Sequence, residues 1–338
     1  MFWNDQRNII SKLTFQRVWN VLNLRWSYFL AKRLKHIKCS GLPFAASIEP
    51  TTACNLGCPE CPSGLKQFTR PTGKLDLDLH DKMLDQLGKQ LFYINYYFQG
   101  EPFLHPQFLD LIIAANKRKI YTATSTNAHF ITKDKATEIV NSGLDRMIIS
   151  IDGLTQDTYE QYRRQGKLEK VLEGTKNIVQ AKKDLKSRTP HLIFQFLVVK
   201  PNEHEVDDVF KLGKEMEIDE VRLKTAQLYD YENGNPLMPS NEKYARYKKN
   251  KQGKFVPKYH LKDHCWRMWS STVLTWDGKV VPCCFDKDAK HVLGDVTKTP
   301  FKQVWSHPQY QAFRKQVFTD RKTIDICQNC SEGTEVWA

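Results

Sequence analysis

No stretch of this 338-residue sequence approaches the roughly 18 consecutive apolar residues of a membrane-spanning helix, which excludes a span of that kind. The opening MFWNDQRNIISKLTF has polar and charged residues where a secretory h-region would be apolar, so no signal peptide is expected and the cytoplasm is the expected compartment. Glycine (16) and proline (15) are too few for a collagen-like chain, and 41% hydrophobic residues are too many for a disordered one. There is no repeat of fixed period and no low-complexity tract. The sequence has no P-loop, no G-x-G-x-x-G after a strand and no G-x-S-x-G elbow. His204 in NEHEVDD lacks the HExxH spacing of a zinc protease and reads as the solvated start of a helix.

Acidic residues are nearly missing from residues 1–40, which carry one Asp against eight Lys and Arg. That segment supplies +7 of the net +13. Ile9, Ile10, Leu13, Val18, Leu22, Trp26, Phe29, Leu30 and Leu34 recur at near-helical spacing, which predicts one or two amphipathic helices docked on the body. A solvated basic face is the plain reading, and peripheral membrane contact through this segment is a further option.

From residue 45 onward the pattern changes to short β-branched or aromatic runs alternating with longer polar segments, the sign of βα units on a parallel sheet. Strands are expected at 45–50, 93–100, 122–127, 146–153, 192–200 and 220–226. Helices are expected at 79–89, 107–118, 133–141, 156–164, 169–184 and 203–215. The fold class is therefore α/β, with six units forming a partial (β/α)6 TIM-like barrel. A small C-terminal cysteine-rich α+β module follows, with a hairpin turning at Asp277-Gly278 and a helix around 301–317. The expected organisation is a basic helical segment at 1–44, the barrel at 45–230, a linker at 231–262 and the module at 263–338.

Eight of the nine cysteines fall into two groups, and in a long chain with no signal peptide such groups read as ligands or nucleophiles rather than disulfides. Cys39 stands apart as a packed thiol. Cys54, Cys58 and Cys61 in CNLGCPEC are spaced C-x3-C-x2-C after the first strand. Cubane clusters normally take four cysteines, so a three-cysteine loop leaves one iron open for another ligand. A zinc site completed by a distant histidine is the competing reading.

With this loop the chain resembles the radical SAM enzymes, whose hallmark is a C-x3-C-x2-C loop at the mouth of a partial (β/α)6 barrel. FQGEP at 98–102 is similar to the family's GGE-type motif, with Gln99 in place of its first glycine. The resemblance implies that Gly100 and Glu101 meet the amino group of S-adenosylmethionine (SAM). ISIDG at 149–153 resembles the segment that places Ser150 and Asp152 near the ribose, and Arg163 or its neighbour Arg164 is the candidate for the SAM carboxylate. A carboxylate at a barrel strand's C-terminal end and a guanidinium fork suit those contacts independently.

The second group, Cys265, Cys283, Cys327 and Cys330, makes a closed set of four for a cluster or for zinc. The order C-x12-G-x4-C followed by C-x2-C resembles the SPASM and twitch modules. Residues 331–338 add no cysteine, so one auxiliary [4Fe-4S] cluster is expected. Cys284 is left over, either as a hydrogen-atom donor to a substrate radical or as a packed thiol.

The resemblance implies a [4Fe-4S] cluster held by Cys54, Cys58 and Cys61 that chelates SAM. It takes an electron from a flavodoxin- or ferredoxin-like donor and generates a 5′-deoxyadenosyl radical that abstracts a hydrogen from the substrate. Some 45 residues before the barrel are too few for a winged-helix leader-binding domain, which favours a small, carbohydrate-like substrate undergoing oxidation or epimerisation over a peptide. Peptide modification is the alternative within the family. A zinc-binding, basic nucleic-acid-binding protein is the alternative outside it, although no nucleic acid partner is expected.

Overall fold

The computed structural model describes residues 2–330, without the side chains of Phe2 and Trp3. The last eight residues of the expected 263–338 module, and Met1 of the 1–44 segment, lie outside them. Six parallel strands run in chain order across the sheet: β1 (Ala45–Ile48), β2 (Tyr93–Asn95), β3 (Tyr121–Thr126), β4 (Arg146–Ser150), β5 (His191–Val198) and β6 (Glu220–Thr225). Strands β3 to β5 are almost continuously buried, as expected where helices cover one face of a sheet and barrel packing fills the other. The order and direction are those of a partial (β/α)6 barrel.

Two helices, α1 (Phe2–Ser11) and α2 (Phe15–Leu34), precede the barrel. Helix α3 (Pro62–Leu65) follows the first cysteine loop. The crossovers are α4 (Leu77–Leu87), α5 (Phe108–Lys117), α6 (Lys133–Asn141), α7 (Gln156–Tyr162), α8 (Leu168–Asp184) and α9 (Val206–Glu215). Their starts are written locally. Asp76 caps α4, Thr132 caps α6, and Thr155 forms a capping box with Thr158 at α7, each satisfying amide donors that the first turn leaves unpaired.

Helix α2 corrects one expectation. It is a helix, but its apolar stripe faces outward; the buried face is Arg17, Asn20, Leu24, Ser27 and Ala31. Hydrogen bonds fix this rotation. Arg17 donates to the carbonyls of Lys12, Lys89, Arg118 and Lys119, Asn20 exchanges two bonds with Leu42, and Ser27 accepts from the Ser40 amide.

The stretch expected as a linker carries a short hairpin, β7 (Tyr247–Lys249) with β8 (Phe255–Pro257). Helix α10 (Arg267–Ser270) leads into β9 (Ser271–Leu274), which pairs in parallel with the open edge of β1. Then β10 (Lys279–Val281) and β11 (Gly294–Asp295) extend that edge, so one nine-stranded sheet runs β11-β10-β9-β1-β2-β3-β4-β5-β6. The strands of the expected C-terminal module thus cover an edge that would otherwise present unpaired backbone groups. The single helix expected over 301–317 is two, α11 (Phe301–Ser306) and α12 (Pro308–Thr319). Pro308 lacks an amide and forces His307 into extended backbone (ψ 145°), which ends the first helix. Helix α13 (Asp325–Gln328) carries Cys327 into the interior.

Candidate active site

The loop after β1 turns over the C-terminal ends of the barrel strands and brings Cys54, Cys58 and Cys61 to one cavity of about 240 Å3. The end of β2 holds that loop. The strand expected through residue 100 leaves the sheet after Asn95, and Tyr97–Glu101 bends over the cysteines. Gly100 has φ +76°, and a Cβ there would lie 2.2 Å from the Thr51 carbonyl oxygen, so only glycine fits. Its amide donates to Ser63 Oγ at 2.9 Å, and the Glu101 amide to the Ala53 carbonyl at 2.7 Å.

The same cavity is lined by Gly100, Glu101, Ser150 and Arg163, four residues singled out in the sequence. Glu101 accepts from Thr126 Oγ1 (2.7 Å), the Asn127 amide (2.8 Å) and the Phe103 amide (3.2 Å). Burial raises its pKa, and these donors act against that shift. Arg163, not Arg164, reaches the site. Arg164 is exposed and contributes its carbonyl to the Gly57 amide. Arg163 stacks near Tyr162, places Nη1 3.8 Å from Cys58 Sγ, and pairs through Nε with Asp152 at 2.5 Å. Burial opposes its charge, yet Asp152 and the Cys58 thiol outweigh it and hold the guanidinium above its ordinary range.

Asp152, expected near the ribose, lies behind Arg163. It does not line the cavity; fully buried, it accepts from the Leu197 amide at 2.6 Å and fixes Arg163 from behind. Cys284 does not line it either. It packs against the cluster of Phe98, Val273 and Val281 and lies close enough to Tyr97 and Lys287, both of which line the cavity, to act on them electrostatically.

Cys265, Cys283, Cys327 and Cys330 line one enclosed cavity with Arg321. Arg321 donates to Cys330 Sγ (3.5 Å) and to the His264 carbonyl (2.9 Å), which places a cation beside four potential thiolates. Burial raises Cys283 well above its ordinary value, and neighbouring thiols add to this.

Both thiol sets fit iron-sulfur clusters. The nine cysteines form no disulfide, so their sulfurs are available as ligands. Burial pushes the Cys54 thiol up to about 12, with Glu101, Cys58 and Cys61 adding to the rise; such a thiol ionises when a metal takes the thiolate. Among the described residues no three His, Cys, Asp or Glu side chains converge on one metal ion.

Several lining residues were missed in the sequence. Thr126 and Asn127 end β3, and the rule that barrel sites gather at strand C-terminal ends would have found them. Lys287 carried no signal, because only the pairing of β9 with β1 brings its loop over the mouth. Its Nζ donates to Tyr229 Oη at 3.0 Å, and burial lowers its pKa while Cys61 and Glu60 act the other way.

A barrel whose mouth gathers three cysteines beside a buried carboxylate and an arginine defines a class, and family models agree. Residues 48–213 match the radical SAM superfamily and residues 265–331 the SPASM iron-sulfur cluster-binding domain, together more than half of the chain. The chain belongs to the radical SAM superfamily. Its C-terminal part is a SPASM domain, and the two domains imply a 4Fe-4S cluster with SAM and an auxiliary cluster.

Among curated relatives, the chain is 25% identical over 313 residues to the tungsten-containing aldehyde ferredoxin oxidoreductase cofactor-modifying protein of Pyrococcus furiosus, covering 84% of this chain and 86% of that one. It is 23% identical to the PqqA peptide cyclase of Gluconobacter oxydans (87% and 84% covered). It is 21% identical to the SAM-dependent 2-deoxy-scyllo-inosamine dehydrogenase of Niallia circulans (84% and 91%). Similar solved structures include anSMEcpe with bound AdoMet, at TM-score 0.63 and 18% identity (88% of each chain), and BtrN in complex with AdoMet and 2-DOIA, at TM-score 0.52 and 17% identity (87% and 95%). These structural likenesses show the fold.

Proposed function

We propose that this radical SAM enzyme abstracts a hydrogen atom from a small, polyhydroxylated substrate of carbohydrate or aminocyclitol type. The observation that carries the enzyme reading is the single cavity shared by Cys54, Cys58, Cys61, Glu101, Ser150 and Arg163. When bound, the cluster and SAM supply the 5′-deoxyadenosyl radical. The chain's own residues hold and orient. Cys54, Cys58 and Cys61 would ligate the cluster, Glu101 would accept from the SAM ammonium, and Arg163, steadied by Asp152, would meet its carboxylate. Gly100 keeps the backbone close to the cysteine loop, and Ser150, which lines the same cavity, would offer a hydroxyl to the ribose.

The substrate class is supported by a few polar groups set in the cavity's otherwise largely apolar lining. Glu60, Gln99, Asn127 and Lys287 present donors and acceptors suited to hydroxyl and amino groups. It is supported as well by the extent of similarity to the inosamine dehydrogenase. Peptide modification is the second reading, favoured by the comparable similarity to PqqA peptide cyclase. Cys265, Cys283, Cys327 and Cys330 would hold an auxiliary [4Fe-4S] cluster that takes the electron from the substrate radical, with a cytoplasmic flavodoxin- or ferredoxin-like protein as donor to the first.

The test is anaerobic incubation of reconstituted enzyme, SAM and reductant with panels of aminocyclitols, sugars and short peptides. Expected are 5′-deoxyadenosine and a two-electron-oxidised polyol. Deuterium transfer to 5′-deoxyadenosine from labelled peptides alone would overturn the substrate assignment.

A further inference from the structure

Helix α2 leaves its apolar face without a partner in the fold. Phe15, Val18, Trp19, Leu22, Trp26 and Phe29 are all exposed, Phe15 at 85% and Trp26 at 63%. At about 100° per residue these six positions fall within an arc of about 100°, centred opposite the buried Arg17, Asn20, Leu24, Ser27 and Ala31. They form one stripe along the helix. Two ring pairs lie within it, Phe15 with Trp19 (centroids 6.4 Å) and Trp26 with Phe29 (5.7 Å). A contiguous apolar stripe of this length is a docking surface rather than the scattered exposure of an ordinary protein surface.

The charges around the stripe identify what covers it. Arg25, Lys32, Arg33, Lys35 and Lys38 are exposed along and just beyond α2, as is Arg7 on α1. The one acidic residue among the first 40, Asp5, is buried and bonded to Arg146 and Tyr121. We propose that this face seats the protein on an anionic lipid bilayer, with the stripe in the headgroup region and the cations against lipid phosphates. A second copy is a poor occupant, because the same excess of positive charge would meet itself.

The placement is consistent with the site remaining in use. Arg17 and Asn20 anchor α2 to Leu42, Lys89, Arg118 and Lys119, which precede β1, β2 and β3. The stripe therefore lies at the N-terminal end of the strands, opposite the mouth that carries the cysteines. A bound protein would keep its cavity turned to solution.

The experiment is vesicle flotation of the reconstituted full chain, with phosphatidylglycerol–phosphatidylcholine vesicles against phosphatidylcholine alone. Wild type is expected to float with the anionic vesicles. Binding should weaken markedly between about 0.1 and 1 M salt, where the screening length falls from about 10 to 3 Å. The exposed-residue variant Trp19→Ser/Leu22→Ser/Trp26→Ser should bind about tenfold less or weaker still, with SAM cleavage unchanged. Lys32→Glu/Arg33→Glu should lose the preference for anionic lipid. Independently of any variant, bromolipids should quench wild-type tryptophan fluorescence. Absence of flotation and quenching at every lipid concentration would overturn the proposal, as would a concentration-dependent dimer or a protein complex that the triple variant abolishes while vesicle binding persists.

Discussion

Asp152 and Arg163 are joined closely enough that removing both should harm the protein clearly less than the two single losses added together. The Asp152 side chain has no exposure, Arg163 has 17%, and the two meet at 2.5 Å. In Arg163→Met the carboxylate stays buried with the Leu197 amide as its remaining donor, and an uncompensated charge of that kind costs about 3–5 kcal/mol. In Asp152→Asn the amide oxygen still accepts from Leu197 and the guanidinium still touches solvent, which puts the cost at the lower end, about 3 kcal/mol. The double variant leaves no buried charge. Its destabilisation should fall at least about 2 kcal/mol short of the sum of the singles. Urea midpoints followed by tryptophan fluorescence on anaerobically reconstituted protein read this coupling, and equilibrium SAM binding read alongside should be lost in both variants that lack Arg163. Strict additivity, within about 0.5 kcal/mol, would refute the claim that the two side chains act as one buried ionic unit.

Away from the site, burial presses the His80 imidazole from 6.5 down to about 4, and its Nε2 meets Tyr96 Oη at 2.7 Å. The fold accepts the neutral ring, so its contribution is whole above pH 6.5 and is lost as the pH falls toward 4. At about 1.4 kcal/mol per pH unit, about 2 kcal/mol is gone by pH 5, a slope that His80→Gln should flatten; equal slopes between pH 7 and 5 would contradict it. Gly100→Ala drives a Cβ to 2.2 Å from Thr51 O at a left-handed φ, costing at least about 1–2 kcal/mol, and iron bound per chain should drop. Cys283→Ser and Cys327→Ser should each remove about four irons while SAM cleavage persists, whereas Cys284→Ser should keep full iron, since Cys284 packs outside the four-cysteine cavity. Iron loss in Cys284→Ser but not in Cys283→Ser would reverse the assignment of the two neighbours.

The barrel was legible because its central strands β3 to β5 are almost continuously buried while its helices are buried on one face, so period and composition separate them; all six crossover helices and five of the six strands lie within a few residues of where the pattern put them, and β2 stops five residues early. The cysteine groups were legible by spacing alone. Less visible was anything decided by tertiary hydrogen bonds. The rotation of α2 is set by Arg17 and Asn20 reaching carbonyls on distant loops, so an apolar stripe that reads as a docking face to the body faces away from it. Asp152 and Arg163 were both singled out, yet only the fold shows that one positions the other. Lys287 reaches the mouth through a strand pairing between residues more than 200 apart in sequence. The break at Pro308 was legible in principle, since a proline within a helical pattern ends the preceding helix.

The most direct test of the central claim is iron, sulfide and zinc per chain after anaerobic purification, for wild type and for Cys54→Ala/Cys58→Ala/Cys61→Ala. The account predicts about eight irons with matching sulfide in the wild type and about four in the variant, with cleavage of SAM confined to the wild type. Zinc in both proteins with iron in neither would contradict it.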